Sequence, residues 1–296
     1  MLTPFDDINA IDWQGLDYLI DWYLKADISG LFAVCGSSEM FALSVEERAS
    51  LAKYVIQKTS GKIPVIVSGT FDDSLDEQIK LIKRMHDLGA EIVVCLVNQF
   101  ADEKDSSDTW KKNAEYILTQ TNDIPLGLYE CPAPYHRFLS IEEIKWAADT
   151  GRFVWMKETS ESLELFTQKV EAAKGSSFKI LNADARFLME SQKAGGAGYS
   201  GIAANFYPHL LAWMCKHFDD NSEMVKELQT FLTDKQSIVN HKYLQNAKVF
   251  LKISDVDIDK ISRVNDFDFT MVEVRELVEL KDDILKFTDR LNHHET

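Results

Sequence analysis

A lysine that closes an apolar run is the residue in this chain best suited to chemistry. Gly151-Arg-Phe-Val-Trp-Met-Lys-Glu-Thr-Ser160 holds four consecutive apolar residues, Phe153 to Met156, enough for one buried strand, and Lys157 ends it. An ammonium in that position loses hydration, which disfavours its charge. At an ordinary pKa of ~10.4, less than about 0.1% of a lysine is neutral at pH 7, so burial turns an inert cation into a nucleophilic amine. The plain alternative is a lysine whose stem crosses apolar surface while its head stays in water. Taken alone the stretch favours that alternative; the rest of the chain reverses the preference.

The elements that must position Lys157 are legible as a repeat. Ile11–Ala26 has helical spacing of Leu16, Leu19, Ile20, Tyr23 and Leu24, and Gly30–Val34 reads as a strand ending in Cys35-Gly-Ser-Ser-Glu39. Ser44-Val-Glu-Glu47 is a capping box opening a helix towards Thr59. Strands follow at Lys62–Val67, Glu91–Val97, Ile124–Leu128, Phe153–Met156 and Ser177–Leu181, with helices at 74–88, 108–120, from Ser140, 161–173 and on to Ala194. Gly195–Gly201 is a short Gly-rich strand and loop before a helix near 205–218. Strand and helix thus alternate about eight times, which predicts an α/β fold, a (β/α)8 TIM barrel over residues 1–220. Only Met1-Leu2 stands before the Thr3-Pro4 turn, so the first strand is either very short or starts in residues outside this chain; we expect the latter. No Gly-x-Gly-x-x-Gly follows the first strand, which argues against a dinucleotide fold.

Beyond about residue 220 the pattern becomes wholly helical. Glu223–Asp234, Ile238–Lys252 and Met271–Leu291 show helical periodicity, and residues 221–296 are expected to form a C-terminal helical appendage packed on the barrel. Val239, Tyr243, Ala247 and Phe250, three or four apart, read there as one packing stripe.

Composition narrows the partners. A net charge of −16 argues against nucleic acid and anionic membrane surfaces, and no apolar run reaches membrane-spanning length. The start carries no signal-peptide pattern, and four widely spaced cysteines (Cys35, Cys95, Cys131, Cys215) without a Cys-x-x-Cys pair suit reduced thiols. The seven histidines form no metal cluster. A cytoplasmic protein is expected.

In a barrel of this kind chemistry sits where strands end. The polar residues that fall there are Ser37, Ser38, Tyr129, Glu130, Lys157, Asn182 and Asp184, with Gly198–Gly201 allowing a close backbone approach. The lysine can form an imine with a 2-keto acid, the tyrosine can carry a proton, and the serine pair can hold a carboxylate. Asn182, Asp184 and Glu130 are candidates for binding substrate hydroxyls, and Arg137 for binding a second carboxylate. The plainer readings are turn residues capping a helix for the serines, and neighbouring-loop contacts for the rest.

Gly36-Ser37-Ser38-Glu39, Leu43-Ser44-x-Glu46-Glu47-Arg48, Tyr129-x-x-Pro132, Lys157 and Gly195-x-x-Gly198-x-Ser200-Gly201-x-x-x-Asn205, in this order and after Thr3-Pro4-Phe5, resemble the dihydrodipicolinate synthase / N-acetylneuraminate lyase family. The resemblance implies Schiff-base aldolases on a (β/α)8 barrel, homo-oligomers (dimers or tetramers) that take pyruvate with no metal or organic cofactor. By motif match Lys157 would carry the covalent imine, Tyr129 would relay the proton, Ser37 and Ser38 would hold the pyruvate carboxylate, and an aldehyde would be the second partner.

Three departures bear on the substrate. The family loop has a glycine before the glutamate that is absent before Glu39. The synthases carry a Pro-Tyr-Tyr sequence where this chain has Asn98-Gln99-Phe100, and one of those tyrosines completes a relay across a subunit interface. They also place an arginine five residues after the relay tyrosine; here Arg137 comes eight residues on. A hydroxylated 2-keto (sugar) acid is therefore the expected substrate, ahead of dihydrodipicolinate synthesis. A non-catalytic keto-acid sensor is the rival, and its support is the altered loop and the lost tyrosine.

Overall fold

The computed structural model describes residues 1–72, 74–220 and 222–294. Six parallel strands hydrogen-bond in sequential order: β1 Leu31–Ala33, β2 Val65–Ser68, β3 Ile92–Leu96, β4 Leu126–Tyr129, β5 Phe153–Glu158 and β6 Lys179–Asn182. Around them run α1 Trp13–Leu24, α2 Val45–Thr59, α3 Leu75–Asp87, α4 Ser107–Gln120, α5 Ile141–Asp149, α6 Leu163–Ala172, α7 Leu188–Lys193 and α8 Pro208–His217. α9 Glu223–Asn240, α10 Gln245–Ile253 and α11 Met271–His294 complete the chain.

A short extended segment continues the sheet beyond β6, and the start of the chain lies against β1. Residues 197–200 lie along β6, with Ala197 N donating to Ile180 O (2.8 Å), Asn182 N to Gly198 O (3.0 Å) and Ser200 N to Asn182 O (2.8 Å). Gly198 sits at φ +142°, a conformation that favours glycine, which is why this segment is not a regular strand. At the other edge the Met1 amino group donates to Phe32 O (2.8 Å), and Met1 and Leu2 are buried.

Strand sequence and helix sequence differ for a physical reason. β2 is buried throughout, as expected of a sheet covered by helices on one side and filled by side chains on the other. The helices are started by local chemistry: Ser44 Oγ accepts from Glu47 N (3.2 Å) while Glu47 Oε2 accepts from Ser44 N (2.8 Å), and Ser140 with Glu143 repeats the arrangement. Each such cap contributes about 1 kcal/mol.

The C-terminal helices are tied to the barrel through buried charge. Lys248 Nζ meets Glu39 Oε1 at 2.8 Å with both side chains fully buried, and Glu39 also accepts from Ser262 Oγ (3.0 Å) and Arg263 N (2.6 Å). Glu39 itself takes the left-handed conformation, φ 58°. The periodicity over 238–252 predicted one helix. The structure breaks it at 241–244, where Lys242 has φ 50° and His241 caps α9.

Candidate active site

Lys157 and Tyr129 are register partners on adjacent strands, so their side chains leave the sheet on the same face. The layer beneath them is aromatic. Phe32 packs against both Trp155 (centroids 5.3 Å apart) and Tyr129 (6.0 Å), and Gly127 leaves the room that Trp155 fills. A side chain at Gly127 would place its Cβ 3.1 Å from the Trp155 ring and 3.2 Å from Val94. This dry floor removes water from one side of the lysine. Burial accordingly pushes the Lys157 amine below its ordinary pKa, while the Cys35 and Cys131 thiols act weakly in the other direction. The amine lies 4.8 Å from the centre of the Tyr129 ring. Burial also holds the Tyr129 hydroxyl well above its usual range, so it is a protonated donor.

The serine pair divides its work. Ser38 is fully buried; its Oγ donates to Met1 O (2.8 Å) and accepts from Cys35 N (3.1 Å), which anchors the N-terminal segment. Ser37 is only half-buried, and its Oγ meets Tyr243 Oη at 2.5 Å. The position of Gly36 places the Tyr129 hydroxyl 3.4 Å from where a Cβ would stand, so Ser37 and Tyr129 share one corner of the mouth. Cys35 lies beneath this corner. Its burial works to raise the thiol, but the N-terminal amine, Lys157 and two bonds with Ser38 outweigh that and bring it to about 7.

Other candidates are engaged elsewhere. Asn182 Nδ2 donates to Asp184 O (2.7 Å) and Ser191 Oγ (3.1 Å), and Asn182 Oδ1 accepts from Asp184 N (2.7 Å), so this side chain ties the β6–α7 turn. Asp184 accepts from Arg186 N (2.8 Å) and from the Arg186 guanidinium. Gly198 contributes backbone only, through its carbonyl to Asn182. The Arg137 guanidinium points to Asp105 O (3.3 Å) and Glu143 Oε1 (3.5 Å). Glu130, one residue past Tyr129, faces the helices and is buried against Lys169.

Asn98 Nδ2 donates to Cys131 O (2.9 Å), Ala133 O (2.9 Å) and Tyr135 O (2.6 Å), folding the loop after β4. Phe100 is in the core against Trp110, with centroids 5.8 Å apart. The lost loop tyrosine is therefore replaced by a packing residue, not by a residue facing the mouth.

The family model described as Dihydrodipicolinate synthetase family matches residues 1–265. The chain belongs to that family. A 4-hydroxy-tetrahydrodipicolinate synthase of Bacillus subtilis (strain 168) is 28% identical over 85% of this chain and 82% of its own length. The enzyme of the same name from Cellvibrio japonicus (strain Ueda107) is 29% identical over 73% of each chain. Among solved structures, a chloride-inhibited dihydrodipicolinate synthase of Acinetobacter baumannii complexed with pyruvate superposes with a TM-score of 0.85 at 21% identity, covering 96% of each chain. As a dihydrodipicolinate synthetase family member the protein is a carbon–carbon lyase of the pyruvate aldolase type, which works through a Schiff base on a lysine and needs no metal or organic cofactor.

Two residues near the mouth and one on the far side of β5 were not among the sequence candidates for the site. Helical spacing assigns Tyr243 to a packing stripe, and only the break at 241–244 turns it towards Ser37. Asn205 was seen only as a motif residue; it donates to Tyr243 Oη (2.7 Å). Lys169 carried a usable signal, a lysine three residues after the buried Phe166 on one helix.

Proposed function

We propose that this family member is a class I aldolase in which Lys157 forms the pyruvate imine and the second partner is a hydroxylated aldehyde, so that the joined product is a hydroxylated 2-keto acid. The observation that carries the reading is the pairing of Lys157 with Tyr129 across β4 and β5, with a desolvated amine over a dry floor. The neutral Lys157 amine adds to the pyruvate carbonyl; Tyr129 gives its proton to the departing hydroxyl, and water leaves behind a protonated imine. That imine is an electron sink, so the Tyr129 phenolate takes a proton from the pyruvate methyl group and the resulting enamine attacks the aldehyde carbon. Tyr129 supplies the proton for the new alkoxide, and water then releases the product and restores the amine. Ser37 donates to the pyruvate carboxylate, while Ser38 shapes the turn.

The choice of a hydroxylated aldehyde is supported by Arg137, whose guanidinium is engaged with Glu143 and backbone carbonyls and so offers no ready cation for a second carboxylate. A second reading is condensation of pyruvate with aspartate semialdehyde, and the names of the curated relatives favour it. Either reading carries a reducing, cytoplasmic setting and a homo-oligomer; the four free thiols suit the former.

Pyruvate followed by borohydride should leave a mass adduct on the Lys157 peptide. Aldehydes are then screened for turnover, and aspartate semialdehyde as the preferred partner would select the second reading. A folded protein that is labelled at Lys157 neither by pyruvate nor by larger 2-keto acids would instead be a keto-acid sensor.

A further inference from the structure

The C-terminal helical region sends one hydroxyl to the Ser37 corner of the mouth, and the hydrogen bonds leading to it are directed as far as Tyr243. Ile202 O can only accept, and Asn205 Nδ2 bonds it at 3.1 Å, which fixes the orientation of the Asn205 amide. Asn205 Oδ1 then accepts from the Tyr23 hydroxyl, and the second Nδ2 proton goes to Tyr243 Oη at 2.7 Å. Tyr243 already accepts that proton, so its own is free for Ser37 Oγ, 2.5 Å away. Burial keeps the Tyr243 hydroxyl protonated far above neutral pH. If Tyr243 is the donor in that bond, the one proton of Ser37 is left for a ligand in the mouth.

We propose that Tyr243 is a positioning residue that acts through Ser37, holding the Ser37 hydroxyl as a donor towards the substrate carboxylate. A carboxylate only accepts hydrogen bonds, so a serine whose rotor is free would have to be ordered at each binding event. The Tyr23–Asn205–Tyr243 chain does this beforehand. It also makes the C-terminal helical region part of the site, since the break between α9 and α10 exists at the residues that deliver Tyr243. The inference rests on the reading of Ser37 as the pyruvate carboxylate ligand.

The test compares pyruvate with pyruvamide, which has the same reacting carbonyl and no carboxylate, using borohydride trapping on Lys157. In Tyr243→Phe the half-saturating pyruvate concentration should rise about tenfold, as for loss of order in one bond to a charged group. The maximal trapping rate should stay as in the wild type, and pyruvamide trapping should not change. Equal weakening of both compounds, or unchanged pyruvate saturation, overturns the proposal. A wild-type protein that traps pyruvamide but not pyruvate at Lys157 overturns the Ser37 reading and the inference with it, whereas no trapping of either overturns the imine itself. Should Tyr243→Phe not fold, 3-fluorotyrosine at 243 keeps ring and hydroxyl. Its 19F resonance should move on adding pyruvate and not pyruvamide; no movement with pyruvate overturns the proposal.

Discussion

Lys157 and Lys169 lie on opposite sides of the same strand, both withdrawn from bulk water, and they differ in what faces them. Lys169, on α6, is almost fully buried and meets Glu130 Oε1 and Oε2 at 2.7 and 2.9 Å and Glu158 Oε1 at 2.8 Å. Lys157, on β5, has no carboxylate acting on it among the described residues, only two thiols. The alternation of a strand produces the contrast: Tyr129 and Lys157 face the mouth, and the next residues, Glu130 and Glu158, face the helices. A paired lysine has its charge held in place. An unpaired one in a dry site can lose its proton, and that is what an imine-forming amine requires.

The contrast can be broken most sharply at the unpaired lysine. Lys157→Ala should lower aldol turnover by on the order of 10^3 or more, with the folded state retained, since the variant removes the nucleophile and leaves the paired cluster alone. Aldol activity persisting at the wild-type rate would end the imine assignment.

Next in size is the paired lysine. Lys169→Met leaves two buried carboxylates facing each other, and the variant should lose about 3–5 kcal/mol in urea unfolding at pH 8. The deficit should shrink as the buffer is taken towards pH 4.5 and the carboxylates take up protons. A deficit independent of pH would mean that packing, not charge, holds the cluster.

The wild-type cluster carries a pH signature of its own. Burial, with the neighbouring Glu158 adding to it and Lys169 opposing it, raises the Glu130 carboxyl from 4.5 to about 7. Between those values the folded protein binds more protons at this group than the unfolded chain does. Its contribution to stability is therefore full below about pH 4.5 and is lost as pH rises to about 7. Glu158→Gln removes the like charge and should flatten that part of the stability–pH curve. On the other face, the lowered pKa of Lys157 predicts that trapping reaches half its maximal rate below pH 10.5, the ordinary lysine value.

The smallest effect belongs to charge pairs outside both regions. Arg84 and Glu46 meet at 2.6 Å on the surface, and Arg84→Ala should leave both the unfolding midpoint and pyruvate trapping unchanged.

Much of this site was legible before any coordinates. The apolar run before Lys157, the Ser37-Ser38 turn and the order of the βα units come from local periodicity and turn chemistry, which act within one element or between neighbours. Side-chain partners were harder. Asn182 and Asp184 stand at a strand end, but whether they face a ligand or tie their own turn depends on Ser191 and Arg186, which the fold brings back to them. Arg137 likewise meets Glu143 and the 102–105 loop only after α5 is in place.

By itself, then, the amino-acid sequence determined the barrel, its capped helices and the strand-end placement of Lys157 and Tyr129, because hydrophobic period and capping are short-range signals. Only the tertiary structure decided which lysine is paired, which serine is available, and that Tyr243 comes from a helical stripe to the mouth. Val239, Ala247 and Phe250 of that stripe are buried in the core as their spacing suggests, whereas Tyr243 is turned aside by four residues between two helices. A partner some 200 residues away, Ser37, gives its hydroxyl a place to go, and contacts at that separation leave no mark in local periodicity.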